Sequence, residues 1–285
     1  TGRSAAESIA LIHRAIDQGV NFFDTARAYG TETILGTAIK ERLRDSVIIS
    51  TKNHASGVSA NQLVKAIDAS LQELQTDYID IFHLHGVAPM VYDHAYEELA
   101  PALLREREKG KLRFLGITET SPNDHGQEML QRATQDDCWD VVMLAFNMMH
   151  QGARARLFPQ TQKQNIGTLI MFAVRSLFSV PGRLEQTMKD LASEGRVAEW
   201  LGHREAPLDF LLEEGGADSV IDAAYRFARH EPGADVVLFG TGDAVHLDAN
   251  IQSILKPPLP EPSRAKLAEL FGSLEGIGLD GPGAR

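Results

Sequence analysis

The chain has 285 residues, of which 43% are hydrophobic, 24% charged and 7% aromatic, values that exclude a disordered or fibrous protein. Its 28 Lys and Arg against 39 Asp and Glu leave a formal net charge of −11, a poor match to a nucleic-acid backbone or an anionic membrane surface. The single cysteine, Cys138, rules out internal disulfides and multi-cysteine metal or redox motifs. A reducing, cytoplasmic setting is therefore expected, for a monomer or small homo-oligomer with no nucleic-acid or membrane partner. No basic-then-apolar signal pattern is read in the first residues given, and no uninterrupted apolar stretch approaches about 18 residues.

In chain order, a helical pattern over Ala5–Asp17 ends at Gly19. Short apolar runs then alternate with amphipathic segments. The runs are Val20–Ala26, Val47–Lys52, Tyr78–His85, Arg113–Thr118, Val141–Phe146, Thr168–Val174 and Asp235–Gly240. Between them, helices are expected over Thr31–Leu43, Ser59–Gln75, Tyr92–Lys109 and Ser219–His230, with His246–Ser253 and Arg264–Leu274 to follow. In Ser59–Gln75, Leu63, Ile67, Ser70, Leu71 and Leu74 share one face. Residues 176–217, where Gly and Pro are scattered, are expected to form an elaborated loop. The Pro-rich stretch from Lys256 to Pro262 opens a C-terminal tail, 256–285.

Strand–helix alternation means a parallel sheet covered by helices, and nothing marks an interdomain linker, so residues 1–285 are expected to be one domain. Seven strands are counted against the eight of a (β/α)8 barrel. The first residue is Thr1, not Met, and a helix comes before any strand. The expectation is a TIM barrel in a chain that begins after its first strand; an open sheet is the alternative.

Ionisable residues stand at the C-terminal ends of three successive strands. Alternation places Val20, Phe22 and Asp24 on one face, Ile48, Ser50 and Lys52 on another, and Ile79, Ile81, His83 and His85 on a third. Tyr29 follows the first of these strands. Taken singly, Asp24 and Lys52 fit a buried ion pair, His85 a satisfied core histidine and Tyr29 a loop aromatic. Together, at one end of one sheet, they make an acid site. An ammonium beside a phenol favours the phenolate and lowers the tyrosine pKa from about 10, and a carboxylate holds the ammonium in place. Such a phenol can protonate a carbonyl oxygen that His85 orients.

The string Gly19-Val20-Asn21-Phe22-Phe23-Asp24-Thr25-Ala26, with Tyr29-Gly30 and Leu35-Gly36, resembles the signature of the aldo-keto reductase superfamily. So do Ser50-Thr51-Lys52, the run from Ser70 to Asp80, His85, the run from Gly110 to Ile117 and Asn250, so the likeness spans nearly the whole chain. The resemblance implies a TIM barrel and a catalytic tetrad of Asp24, Tyr29, Lys52 and His85. It also implies NADP or NAD as cofactor and an aldehyde or ketone as the small-molecule carbonyl substrate. Members of that family carry a Gly-rich first strand and often a small hairpin before this point.

No Gly-x-Gly-x-x-Gly follows an early strand, so a Rossmann site is not indicated. Gly240, Thr241 and Gly242 lead instead into the expected helix from His246, where backbone N–H groups can meet a phosphate, although a plain strand-to-helix turn explains the same residues. The resemblance places the adenosine half of the cofactor there, with Asn250 near the adenine.

Three departures from the family pattern stand out. Thr118 and Glu119 replace a Ser-Asn pair that holds the nicotinamide carboxamide, Met143 replaces a Gln with the same task, and Met171 or Phe172 replaces the ring-stacking aromatic. No Arg or Lys stands in the loop beside Asp243, so the expected preference for NADPH over NADH is weak or reversed.

His83 is expected to be buried and hydrogen-bonded. His54 is expected either at the substrate mouth or on a surface loop. Residues 146–150 fit a pocket wall or plain core. No metal-ligand spacing and no nucleophile elbow is present. Two other functions remain open: a cofactor-sensing barrel with little turnover, and a lyase using Lys52 as a Schiff base.

Overall fold

A computed structural model of the chain describes residues 4–280. Thr1, Gly2, Arg3 and the last five residues of the tail lie outside the described residues. Seven strands form one sheet: β1 (Phe22–Asp24), β2 (Ile48–His54), β3 (Ile79–Val87), β4 (Leu112–Glu119), β5 (Val141–Ala145), β6 (Gly167–Met171) and β7 (Val236–Val237). They lie side by side in chain order, and every neighbouring pair is parallel. All seven apolar runs read from the sequence are strands. The last is shorter than its run because β7 has a strand partner on one edge only, at Leu169↔Val236 and Ile170↔Val237.

The sheet curls. Phe22 of β1 packs in one apolar cluster with Ile48, Ile81, Val141, Met143, Leu169 and Met171, and with Val236 and Leu238 at the other end of the strand order. First and last strands share that cluster without hydrogen-bonding to each other, which a flat sheet does not permit. The opposite parity, with Ile49, Phe82, Leu84, Leu115, Ile117, Val142, Leu144 and Ile170, faces the helices and forms the larger core with Leu63, Ile67 and Leu74. This is a (β/α)8 barrel with seven strands among the described residues.

Outside the sheet, the helical layer does close. Ala15 of the helix Ala5–Asp17 packs with Leu247 and Ile251 of the helix Ala244–Leu255, and Arg14 pairs with Asp248 at 2.5 Å. The amphipathic segment 59–75 is the helix Ala60–Leu74, and Ser59 and Gln62 form its capping box. Among the described residues, no helix is long and apolar enough to cross a membrane.

One expectation is corrected. Residues 176–217 are not an irregular loop but carry the helices Ser176–Ser179, Arg183–Ser193, Glu199–Gly202 and Phe210–Glu213. In the longest, Leu184, Met188 and Leu191 sit at i, i+4 and i+7 and bury one face. Apart from Gly202, which ends the helix Glu199–Gly202, glycine and proline fall between these short helices, and their density hid the periodicity. The described part of the tail is pinned to loops at the C-terminal ends of the strands. There Asn147 Nδ2 donates to the Ile277 carbonyl, Gly276 N to His150 Nδ1, and Arg175 to the Asp280 carbonyl.

Candidate active site

Strand pairing brings the ionisable residues together. Asp24 lies opposite Ser50, Lys52 opposite His83, and His54 opposite His85. Asp24 ends β1, and its carboxylate accepts from two inward side chains of β2. Ser50 Oγ donates to Oδ1 at 2.7 Å, and Lys52 Nζ donates to Oδ2 at 2.5 Å. Lys52 Nζ also donates to the Thr25 carbonyl at 2.8 Å, and its side chain is only 2% exposed. An ammonium so enclosed needs these partners, because an unpaired buried charge is costly.

Tyr29 sits on the turn Arg27–Tyr29, which Gly30 ends in the left-handed region at φ 64°. The turn is braced from below. Glu32, fully buried, accepts from Thr51 Oγ1 at 2.6 Å and from Arg27 Nη1 at 3.0 Å. The Tyr29 ring centre stands 5.4 Å from Lys52 Nζ, and the residue is 54% exposed. His85 meets Tyr29 edge-on, with ring centres 5.8 Å apart, and His54 stacks on His85 at 4.8 Å.

His83 lies deeper. Its Nε2 is 3.1 Å from Ser50 Oγ. That hydroxyl has one proton and gives it to Asp24, so His83 Nε2 is the donor and Nδ1 carries no hydrogen. The ring fits only because β4 has glycine at 116; a Cβ there would lie 2.1 Å from His83 Nδ1.

The electrostatics follow from burial. Burial depresses the Lys52 pKa, and Asp24 opposes that shift. Burial holds His85 down at about 4, helped by Lys52 and then His54, so this imidazole is neutral near pH 7. His83 is depressed well below the ordinary histidine value for the same first reason. Tyr29 contradicts the expected lowering: its pKa lies above 10, raised by burial and then by Asp24. Asp24 has already compensated the ammonium, so the phenol meets an ion pair, not a lone cation.

The residues expected to hold the nucleotide are placed less uniformly. Thr118 is buried, and its Oγ1 accepts from Gly86 N at 2.7 Å. Glu119 has the opposite strand parity and is enclosed, accepting from Ser121 Oγ, Ala145 N and Gln127 Nε2. Met143 packs among Ile81, Val141 and Leu169, where a thioether offers nothing to a carboxamide. The structure therefore brings neither Glu119 nor Met143 to an open face of the site.

Met171 borders the same cluster, and Phe172 beyond it has φ 65°, with the Arg175 guanidinium 4.7 Å from its ring centre. At Gly240 no atom lies within 4 Å of an added Cβ, so backbone there is approachable. Thr241 Oγ1 accepts from Asp243 N at 3.0 Å, with Gly242 between them. Asp243 caps the helix Ala244–Leu255, accepting from Val245 N at 2.8 Å and His246 N at 3.1 Å. His246 is exposed and Asn250 buried.

Sequence reasoning missed Ser50, Glu32 and Arg27 as supports. Ser50 was detectable, two residues before Lys52 on the same strand face. Arg27 belongs to that turn and Glu32 opens the helix Glu32–Ile39, while their partners lie on β2 and the helix Ala60–Leu74, and no periodicity reveals that.

Among curated proteins, the chain is 30% identical over 269 residues to the aldo-keto reductase YhdN of Bacillus subtilis, a match spanning 87% of this chain and 78% of that protein. It is 37% identical over 172 residues to the L-galactose dehydrogenase of Arabidopsis thaliana, covering 57% of this chain and 54% of that one, so it spans about half of that relative. Among solved structures, the aldo-keto reductase AKR11C1 from Bacillus halodurans superposes with a TM-score of 0.70 at 22% identity, over 95% of this chain and 88% of that one. An aldo/keto reductase from Klebsiella pneumoniae in complex with NADP and acetate gives 0.69 at 21% identity, over 94% and 86%. The structural likeness speaks for the barrel alone. The sequence profile of the Aldo/keto reductase family, however, matches residues 1–270, and with the YhdN identity it follows that this chain belongs to that family of oxidoreductases.

Proposed function

We propose that the protein, as one barrel domain, reduces an aldehyde or ketone to an alcohol, using NADPH or NADH as hydride donor and Tyr29 as proton donor. The observation that carries this reading is the Asp24–Lys52 pair beneath Tyr29, with neutral His85 beside it. The solved Klebsiella relative holds NADP, which supports the choice of cofactor. The residues present fit a nicotinamide dinucleotide at the partly exposed ring of Phe172 and the open backbone of Gly240. When bound, the reduced nicotinamide supplies hydride to the carbonyl carbon.

The chain's own residues do the rest. His85 donates a hydrogen bond to the carbonyl oxygen and orients it. As hydride adds to carbon, the C–O π pair moves to oxygen, which takes the Tyr29 proton. The resulting phenolate, next to Lys52 and half open to water, recovers a proton from solvent. Lys52 is held for this electrostatic task by Asp24 and the Thr25 carbonyl, a role that disfavours a Schiff base at the same nitrogen.

A cofactor-sensing barrel with little turnover is the second reading, favoured by the enclosed Glu119 and the apolar Met143. Reduced-nucleotide oxidation with a panel of aldehydes and ketones separates the two. With Tyr29→Phe, turnover falls about a thousandfold while nucleotide binding persists. Retained turnover in that variant would remove Tyr29 from the chemistry.

A further inference from the structure

We infer that His54, through its ring stack on His85, is a positioning residue for the carbonyl-orienting imidazole. This rests on the reductase reading above, because it assigns a support to one member of that site.

His85 Nδ1 is buried and has no hydrogen-bond partner, so no bond at that nitrogen fixes the ring. The chain turns directly after it: Gly86 takes φ 62°, and the β3–β4 register shifts between Leu84 and Val87. A histidine χ2 is broad and roughly two-fold, so an imidazole without a bond at Nδ1 takes its angle from the surfaces it touches. Two rings supply those surfaces. Tyr29 stands perpendicular to the imidazole, with ring centres 5.8 Å apart and planes at 86°, and His54 presents its face at 4.8 Å and 10°.

The second contact is built into the sheet, because His54 and His85 are register partners on adjacent parallel strands. Tyr29 is the proposed proton donor and must keep its own freedom to meet substrate. His54 belongs to no other part of the proposed machinery. It is exposed at the C-terminal end of β2, where its loss leaves the Asp24–Lys52–Ser50 network in place.

The test compares His54→Ala and His54→Phe with the wild type. Loss of the ring lowers kcat for carbonyl reduction about 10- to 100-fold, with KM and NADPH affinity unchanged. Phenylalanine keeps a flat face on His85 and returns kcat to near the wild-type value. NMR of the protein without nucleotide reads the placement directly: the cross-peak between the Tyr29 ring and His85 Hε1 persists in wild type and His54→Phe and is lost in His54→Ala. Full activity in His54→Ala, or His54→Phe as slow as His54→Ala, overturns the inference, as does a cross-peak that survives alanine. Should the wild type reduce no carbonyl compound, the reductase reading falls, and the NMR comparison alone decides the stack.

Discussion

The Lys52 ammonium stands 5.4 Å from the centre of the Tyr29 ring, yet its charge is spent on Asp24 at 2.5 Å. The phenol pKa is raised above its ordinary 10, first by burial and then by Asp24. In the proposed reaction the phenol acts in its protonated form, and the raised value keeps it protonated throughout the neutral range. We expect kcat/KM for carbonyl reduction to stay level from about pH 6 to 9 and to decline only beyond about pH 10. The reverse oxidation, which needs phenolate, should climb with pH over that interval. A reduction limb with its midpoint near pH 7 to 8 would mean that Lys52 lowers the phenol after all.

The same pair sets a stability prediction. Replacing Lys52 by Met removes the cation and leaves Asp24, mostly buried, with Ser50 as a hydrogen-bond donor. Breaking one side of a buried pair costs about 3 kcal/mol. In Asp24→Asn/Lys52→Met no charge remains to be stranded, so urea denaturation should show much of that loss recovered. Turnover should not recover, because the ammonium beneath the phenol is gone. A double variant no more stable than Lys52→Met would show that the pair is not electrostatically coupled.

The strand ends were legible because period-two alternation is a local signal: Phe22 and Asp24, then Ile48, Ser50 and Lys52, already lie on one face each in the sequence. Register then joins the faces, with Asp24 opposite Ser50. The sign of the Tyr29 shift was not legible, because it depends on how fully Asp24 compensates Lys52 and how much water the turn excludes. Glu119 was misread for a related reason. A residue at the end of β4 can point into the barrel or between strand and helix, and only the three donors around its carboxylate reveal the second. The helices within 176–217 are short and separated by glycines, so their periodicity rarely spans three turns.

Glu119 gives a pH signature of its own. Enclosed entirely, its carboxyl is pushed up to about 7 against an ordinary 4.5, by burial that its hydrogen bonds to Ser121, Ala145 and Gln127 only partly offset. Between those two values the folded state holds a proton that the unfolded chain has released, so this group makes stability fall as pH rises. Beyond about pH 7 both states are ionised and the slope ends. Glu119→Gln cannot ionise and lacks that slope. Measured against the wild type by chemical denaturation, the variant should gain about 3 kcal/mol in relative stability between pH 4.5 and pH 8. Parallel stability curves would show that the carboxyl titrates normally in the fold.

In the proposed cofactor site, nucleotide preference is expected to turn on Asp243. Its carboxylate caps the helix Ala244–Leu255 by accepting from Val245 N and His246 N. Two backbone donors at the start of this helix are thus occupied by an anion of the chain itself. No Arg or Lys stands between Gly240 and His246 to compensate a 2′-phosphate dianion. We therefore expect the kcat/KM preference for NADPH over NADH to stay below about a hundredfold, since charge-assisted pairing of that phosphate is missing. Asp243→Asn separates capping from charge. Asparagine caps a helix about as well as aspartate, so the helix start should persist while the negative charge is removed. Fluorescence titration should then show tighter binding of NADPH, with NADH little changed. Equal gains for both nucleotides would place the Asp243 charge away from the 2′-phosphate, and a preference above a hundredfold in the wild type would mean that another part of the chain supplies the missing cation.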